Sequence, residues 1–227
     1  GIEFSNGKLS GRSLFLIDGK DADGFLLANK SGELYLVDAS SKGIEVTELT
    51  TVDKTRTSIE LILKDVDAEL LTGSSDKSVI EKVLDAGRLM LSADTVGAAQ
   101  VMLDKSVAYS LERKQFGRLI GSFQAVKHMC AEMAADLEPC HSMIWHAAHC
   151  LDNVPEEARL MACQTKAHIS EVGKQVSKTA TEVHGGMGFT DELGLHYWFK
   201  RIGLNRQLLG SPELIREEAG KLQGFDQ

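Results

Sequence analysis

The hydrophobic period of this chain changes once, at Thr72-Gly73-Ser74-Ser75, and that change restricts the folds open to it. Before it, apolar residues alternate or fall in short runs between turns; after it they recur three or four residues apart to the end of the chain. Ser13–Ile17, Gly24–Ala28, Glu33–Val37, Ile44–Leu49 and Thr57–Leu63 read as strands. Asn6-Gly7, Asp18-Gly19, Ser31-Gly32 and Lys42-Gly43 supply the turns between them. Helical pattern then covers 76–112, 122–151, 155–183 and 191–206, and a short last helix opens at Gly210-Ser211-Pro212-Glu213. Strands first and helices after make the chain α+β. A small antiparallel β-sheet domain is expected over 1–72, followed by an antiparallel four-helix bundle over 76–227. The chain opens Gly1-Ile2-Glu3-Phe4 without a methionine, so the sheet domain is expected to be truncated at its start.

Local signals refine this. Ser75 or Asp76 is expected to cap the first helix, and Pro139 to kink the second. Pro155 suits the first turn of the third, where its missing amide costs nothing. Ser211 is expected to cap the last helix, with Glu213 in its opening turn. Cys130, Cys140, Cys150 and Cys163 lie in helical pattern without a CxxC pair, which reads as reduced core thiols of a cytoplasmic protein. A formal charge of −8 argues against a nucleic-acid partner. No apolar run reaches the roughly 18 residues of a membrane span.

Two glycine-punctuated breaks carry the candidate chemistry. Glu112-Arg113-Lys114-Gln115-Phe116-Gly117-Arg118 sets cations and a ring between two helices. Arginine forks bind phosphate oxygens, although a solvated basic helix end has the same composition. Gly185-Gly186-Met187-Gly188 lets backbone approach a pyrophosphate, or simply turns one helix into the next; spacing leaves both open. His141, His146 and His149 share a helix, but the His146/His149 pair has no third ligand at suitable spacing, so a surface histidine cluster and no metal are expected. Trp145 and Trp198 read as packing residues. Asp85 and Arg88 flank Gly87 on one helix, an ordinary pair or the wall of a ligand channel.

Together these strings resemble the acyl-CoA dehydrogenase family: Glu112-Arg113-Lys114-Gln115-Phe116-Gly117, then Ile120-Gly121-Ser122-Phe123-Gln124-Ala125-Val126-Lys127-His128, then His184-Gly185-Gly186-Met187-Gly188-Phe189-Thr190. The resemblance implies the family's middle β domain followed by its C-terminal helical domain. It implies FAD as cofactor, an acyl-CoA thioester as substrate, and a glutamate that takes the α-proton. By the same resemblance, Arg113, Phe116, Gln124, Glu182, Gly185, Gly186 and Ser211 fall at cofactor positions, and Arg88 and Asp85 line the acyl-CoA channel. Phe15 and Ile17 align with the residues that meet the flavin. The departures are in the base: its usual seat is occupied by Leu209 and its alternative seat by Gly87, and Glu182 stands where the family has a glutamine. That pattern resembles the base-less subunit of heteromeric actinobacterial dehydrogenases that shorten steroid side chains. It implies a related partner subunit in an α2β2 complex. A self-sufficient enzyme with a base at Glu182 or Glu213, and a scaffold without flavin, are the alternatives.

Overall fold

The computed structural model describes residues 1–74 and 76–225. It forms two compact units, Gly1–Leu84 and Asp85–Gln227. Secondary structure changes type at the segment where the hydrophobic period changes, while the division between compact units falls inside the first long helix.

In the first unit, β1 (Ile2–Ser5), β2 (Lys8–Ile17), β5 (Ile44–Glu48) and β6 (Ser58–Asp67) form an antiparallel sheet of order β1-β2-β6-β5. A second sheet joins β3 (Gly24–Ala28), β4 (Leu34–Asp38) and β7 (Glu69–Leu70) in the order β3-β4-β7. Ile59, Leu61 and Leu63 alternate onto one face of β6 and bury against Leu9, Phe25, Leu27, Tyr35 and Val37. The pairing of β2 with β6 is longer than the apolar pattern suggests. Lys8 pairs with Asp67 at 2.8 Å and Ser10 Oγ donates to Asp65 at 3.1 Å, polar links that leave no hydrophobic alternation to read. The unanticipated β1 closes through Asn6-Gly7, both at positive φ (51° and 80°), as a two-residue hairpin turn requires. A bulge between Ser13 and Leu16 carries Phe15 at φ 58°, with its ring exposed.

In the second unit, the long helices are α1 (Lys77–Glu112, which begins in the first unit), α2 (Gln124–Asn153) and α3 (Pro155–His184). The shorter α4 (Leu195–Gln207) and α5 (Pro212–Leu222) follow. The amide of Ser78 donates to Asp76 Oδ1 at 2.9 Å, the expected cap of α1; Ser75 lies outside the described residues. Helix α2 continues through Pro139. Pro155 sits in the first turn of α3, with Glu156 and Glu157 complementing its dipole. The core joins Val96, Ala99 and Met102 of α1, Met133, Leu137 and Cys140 of α2, Ile169, Val176 and Ala180 of α3, and Leu195 and Ile202 of α4. At Gly173 a Cβ would stand 2.4 Å from Thr95 Cγ2, so glycine permits the close approach of α1 and α3.

Two local expectations fail here. Helix α4 starts at Leu195 rather than Asp191, because Gly194 takes a left-handed conformation (φ 62°) after a 3-10 turn over Gly185–Phe189. Trp198 packs on the core as expected, but Trp145 is 75% exposed on this chain. Among the described residues no helix is long and apolar enough to cross a membrane. The four cysteines are unpaired thiols; burial pushes those of Cys140 and Cys163 up to about 11.

Candidate functional site

The junction after α1 is a miniature hairpin, β8 (Lys114–Gln115) against β9 (Arg118–Leu119). Its two turn residues, Phe116 and Gly117, both have positive φ (53° and 77°), the geometry of a type I′ turn. Placing phenylalanine there costs on the order of 1–2 kcal/mol and leaves its ring 92% exposed. The two arginines of this string have separate jobs. Arg118 lies over the Phe123 ring, 3.9 Å from its centroid, whereas Arg113 faces a cavity.

That cavity, about 410 Å³, is where the two motifs meet. Tyr109, Arg113 and Gln115 line one side, and Glu182, Gly185 and Gly186 the other. The wall is held by the buried His184, whose ring stacks on Tyr109 (centroids 4.6 Å apart) and whose Nδ1–H donates to the Ala180 carbonyl at 2.7 Å. Gly185 takes φ 58° and ψ −141°, a combination essentially limited to glycine. A Cβ on Gly185 or Gly186 would meet nothing within 4 Å, so their backbone is open to a ligand. One guanidinium beside exposed glycine backbone suits a pyrophosphate. Glu182 opposes one: its carboxylate lines the same cavity. Phe116 and Gln124 lie outside the lining, exposed, with Gln124 the first residue of α2.

Leu209 and Gly87, the two positions at which the family resemblance leads us to expect a catalytic base, lie against each other. A Cβ built on Gly87 would stand 2.6 Å from Leu209 Cδ1. Leu209 and Gly210 both have positive φ (56° and 108°), so the short connection from α4 to α5 is tightly turned. Neither position can ionise.

Against the Leu209 turn lies a partly buried ionic cluster. Arg88, 6% exposed, donates through Nε to the Leu209 carbonyl at 3.2 Å and through Nη1 to Asp85 Oδ1 at 3.1 Å. It grips Glu218 bidentately, at 3.1 and 2.8 Å. Arg159 reaches the same carboxylate at 2.5 Å. Burial opposes ionisation of Glu218, but Arg88 and Arg159 outweigh it and hold the carboxyl below its ordinary value. At Asp85 burial wins over Arg159 and Arg88, and the carboxyl is raised. The sequence brings Asp85 and Arg88 to this place, yet much of the guanidinium's capacity is taken up within the chain.

Ser211 precedes α5 but makes no side-chain capping bond, contrary to expectation. Its hydroxyl, the backbone and Arg206 instead hold the Glu213 carboxyl down to about 2. Such a weak proton acceptor is poorly matched to abstracting an α-proton. Sequence reading also missed Lys166, which is 2% exposed and donates to the Asn205 and Arg206 carbonyls at 2.5 and 3.4 Å. It satisfies the C-terminal carbonyls of α4 from below. Burial, with Arg206 and Arg88 nearby, brings its ammonium down to about 8. The signal was available, since Lys166 stands three residues after Cys163 and four before Ser170 on a buried face.

Comparison with known proteins agrees with this layout. Residues 77–222 match the family described as "Acyl-CoA dehydrogenase, C-terminal domain". The caffeyl-CoA reductase-Etf complex subunit CarC of Acetobacterium woodii is 39% identical over 111 residues, 49% of this chain and 29% of that protein. The acyl-CoA dehydrogenase IpdE2 of Mycolicibacterium smegmatis is 34% identical over 139 residues, 61% of this chain and 42% of that protein. A solved variant of the Tcur3481-Tcur3483 steroid acyl-CoA dehydrogenase superposes with a TM-score of 0.87 at 25% identity, covering 99% of this chain and 62% of that one. The chain thus spans less than half the length of these two curated relatives. With the motifs, the fold and the family match in agreement, this chain belongs to the acyl-CoA dehydrogenase family of flavoprotein oxidoreductases.

Proposed function

We propose that this chain is the base-less subunit of a heteromeric, FAD-dependent acyl-CoA dehydrogenase and completes a flavin site shared with a related subunit. Two separate observations support this reading: the contact of Leu209 with Gly87, an apolar pair where the family pattern puts a carboxylate, and, near the far end of α1, a cavity lined by Arg113 and the Gly185-Gly186 backbone. Arg113 and the Gly185-Gly186 backbone would hold the pyrophosphate of FAD. Phe116, Gln124 and Ser211 join them by position in the family pattern. The exposed Phe116 ring is available to a nucleotide carried mainly by a neighbouring chain. Glu182 must turn aside for the anion to enter.

FAD, when bound, supplies the hydride acceptor for the β-carbon of an acyl-CoA thioester. This chain's own work is to bind and orient. The α-proton passes to a carboxylate of the partner, because neither Leu209 nor Gly87 can accept it. Arg88 and Asp85 belong to the acyl-CoA channel through its wall: Arg88 holds the Leu209 carbonyl and so anchors the turn that carries Leu209. The likeness to a steroid acyl-CoA dehydrogenase supports a steroid side-chain CoA as substrate; an α2β2 complex with one FAD per two chains, in the cytoplasm, completes the proposal.

Co-expression with candidate partners, followed by flavin absorbance and FAD counting, tests this. The lone chain is expected to be colourless, and the complex yellow at one FAD per two chains. In the complex, Arg113→Ala should weaken FAD binding by about 1.5–3 kcal/mol, the value of one charge-assisted contact. Turnover of an acyl-CoA by the lone chain with its own bound FAD would overturn the reading.

A further inference from the structure

A cluster of metal-ligating side chains lies outside the cavity and the ionic network, where α2 turns into α3. Sequence spacing singles out His146 with His149, but the His149 ring sits against the Asn153 amide at 3.2 Å. The structure pairs His146 instead with Cys150, one turn further along α2, and adds Glu157 from the first turn of α3. One nitrogen, one sulfur and one oxygen from these three residues all lie within 4.8 Å of one another.

We infer that His146, Cys150 and Glu157 form a binding site for a zinc-class divalent cation that clamps the α2–α3 turn. Three observations support it. First, Cys150 Sγ and His146 Nε2 are 3.8 Å apart. A tetrahedral zinc with ordinary Zn–N and Zn–S bonds sets that edge at about 3.6 Å, so this edge needs only a small ring movement, and the exposed Glu157 carboxylate must swing inward to complete the set. Second, Cys150 is buried while His146 and Glu157 are exposed. The cation would therefore sit over a buried sulfur and keep an outward position for water and for entry. Third, a mixed N, S and O donor set suits zinc and its neighbours in the transition series rather than magnesium or calcium. The turn is also prearranged without metal. Val154 N donates to the Cys150 carbonyl, Glu157 N donates to the Val154 carbonyl, both at 3.0 Å, and Pro155 fixes the backbone between. Binding converts the Cys150 thiol to a thiolate and releases one proton to solvent.

Cobalt(II) reports such a site directly, because thiolate ligation gives a near-ultraviolet charge-transfer band and tetrahedral geometry gives intense visible bands. The whole protein, with any subunit that co-purifies, would be stripped with a chelator and titrated with Co²⁺ and then Zn²⁺. One equivalent of Co²⁺ giving both bands, displaced by Zn²⁺, is expected. Cys150→Ala should abolish the charge-transfer band, and His146→Ala and Glu157→Gln should each weaken binding by more than about tenfold, the low end for loss of even a supporting partner. His146 is exposed, so His146→Ala is expected to melt like the metal-free parent, and its loss of Co²⁺ then reports a lost ligand. Absence of the thiolate band, its survival in Cys150→Ala, or weakening by His149→Ala in place of His146→Ala would each overturn the assignment.

Discussion

The contact between Leu209 and Gly87 can be weighed by a double-mutant cycle. Gly87 lies inside α1, where alanine is favoured over glycine by about 0.8–1 kcal/mol. The new methyl would stand 2.6 Å from Leu209 Cδ1, about 1 Å inside ordinary carbon–carbon contact. Leu209 is 39% exposed, so its side chain can swing outward. Leaving its rotamer costs about 0.5–1.5 kcal/mol. The two effects nearly cancel, and Gly87→Ala alone should change stability little. In a Leu209→Ala background the collision is gone, and the same change should stabilise by about 1 kcal/mol. Each protein would be unfolded in urea and followed by far-ultraviolet circular dichroism. A coupling near 1 kcal/mol, about 2–4 °C in melting temperature for a chain of this length, is expected. If the four values add to within about 0.3 kcal/mol, the two positions do not share a volume and the argument is wrong.

Lys166 sets a pH dependence. Its folded-state value of about 8 lies below the usual 10.5, so the unfolded chain binds more protons in that interval and stability rises with pH through it. At 1.36 kcal/mol per pH unit the rise is about 3 kcal/mol at most, and the difference between wild type and Lys166→Met in urea unfolding between pH 7.5 and 10 should display it. Glu218→Ala leaves the buried Arg88 with a single carboxylate, at a cost of about 3 kcal/mol, and should lower the melting temperature by about 6–12 °C. Glu182→Gln removes the charge opposing an anion in the Arg113 cavity; ADP binding by calorimetry should tighten several-fold, on the order of 1 kcal/mol, and the gain should shrink at high salt.

The parts of the fold legible in the sequence are those set by local geometry. The Asn6-Gly7 turn could be read because type I′ turns need positive φ, and the long helices because burial repeats their period over many turns. The parts that escaped depend on polar partners far apart in the chain. Strands β2 and β6 are extended by Lys8 with Asp67 and Ser10 with Asp65, and the ionic cluster needs Arg88, Arg159 and Glu218 from three helices. No spacing rule reports such partners. The hairpin at Phe116 was hidden for another reason: phenylalanine is an unfavourable residue for a left-handed turn, so Gln115-Phe116-Gly117 does not announce itself as one. In the candidate site, the identities of Arg113, Gly185 and Gly186 could be read because glycine and arginine carry their chemistry in their type. That Gly87 and Leu209 meet required coordinates, since 122 positions separate them.

On the proposed function, that meeting bears on how a carboxylate could be placed at either position. Leu209 sits at φ 56°, which costs a leucine on the order of 1 kcal/mol and persists only where the surroundings dictate it. Here the Arg88 guanidinium holds its carbonyl, and the turn through Gly210 is closed by Ile215, which would stand 2.6 Å from any Cβ at that glycine. The backbone therefore fixes where the side chain of position 209 begins, and in leucine that side chain reaches Gly87. Leu209→Glu would place a carboxyl on the residue whose carbonyl Arg88 already holds, and pairing with that guanidinium would make it a poorer proton acceptor. Gly87→Glu has the opposite problem, because its side chain must enter the space Leu209 fills. Proton abstraction thus requires more at either seat than one substitution: a shortened residue 209 in the second case, and a rebalanced Arg88 in the first.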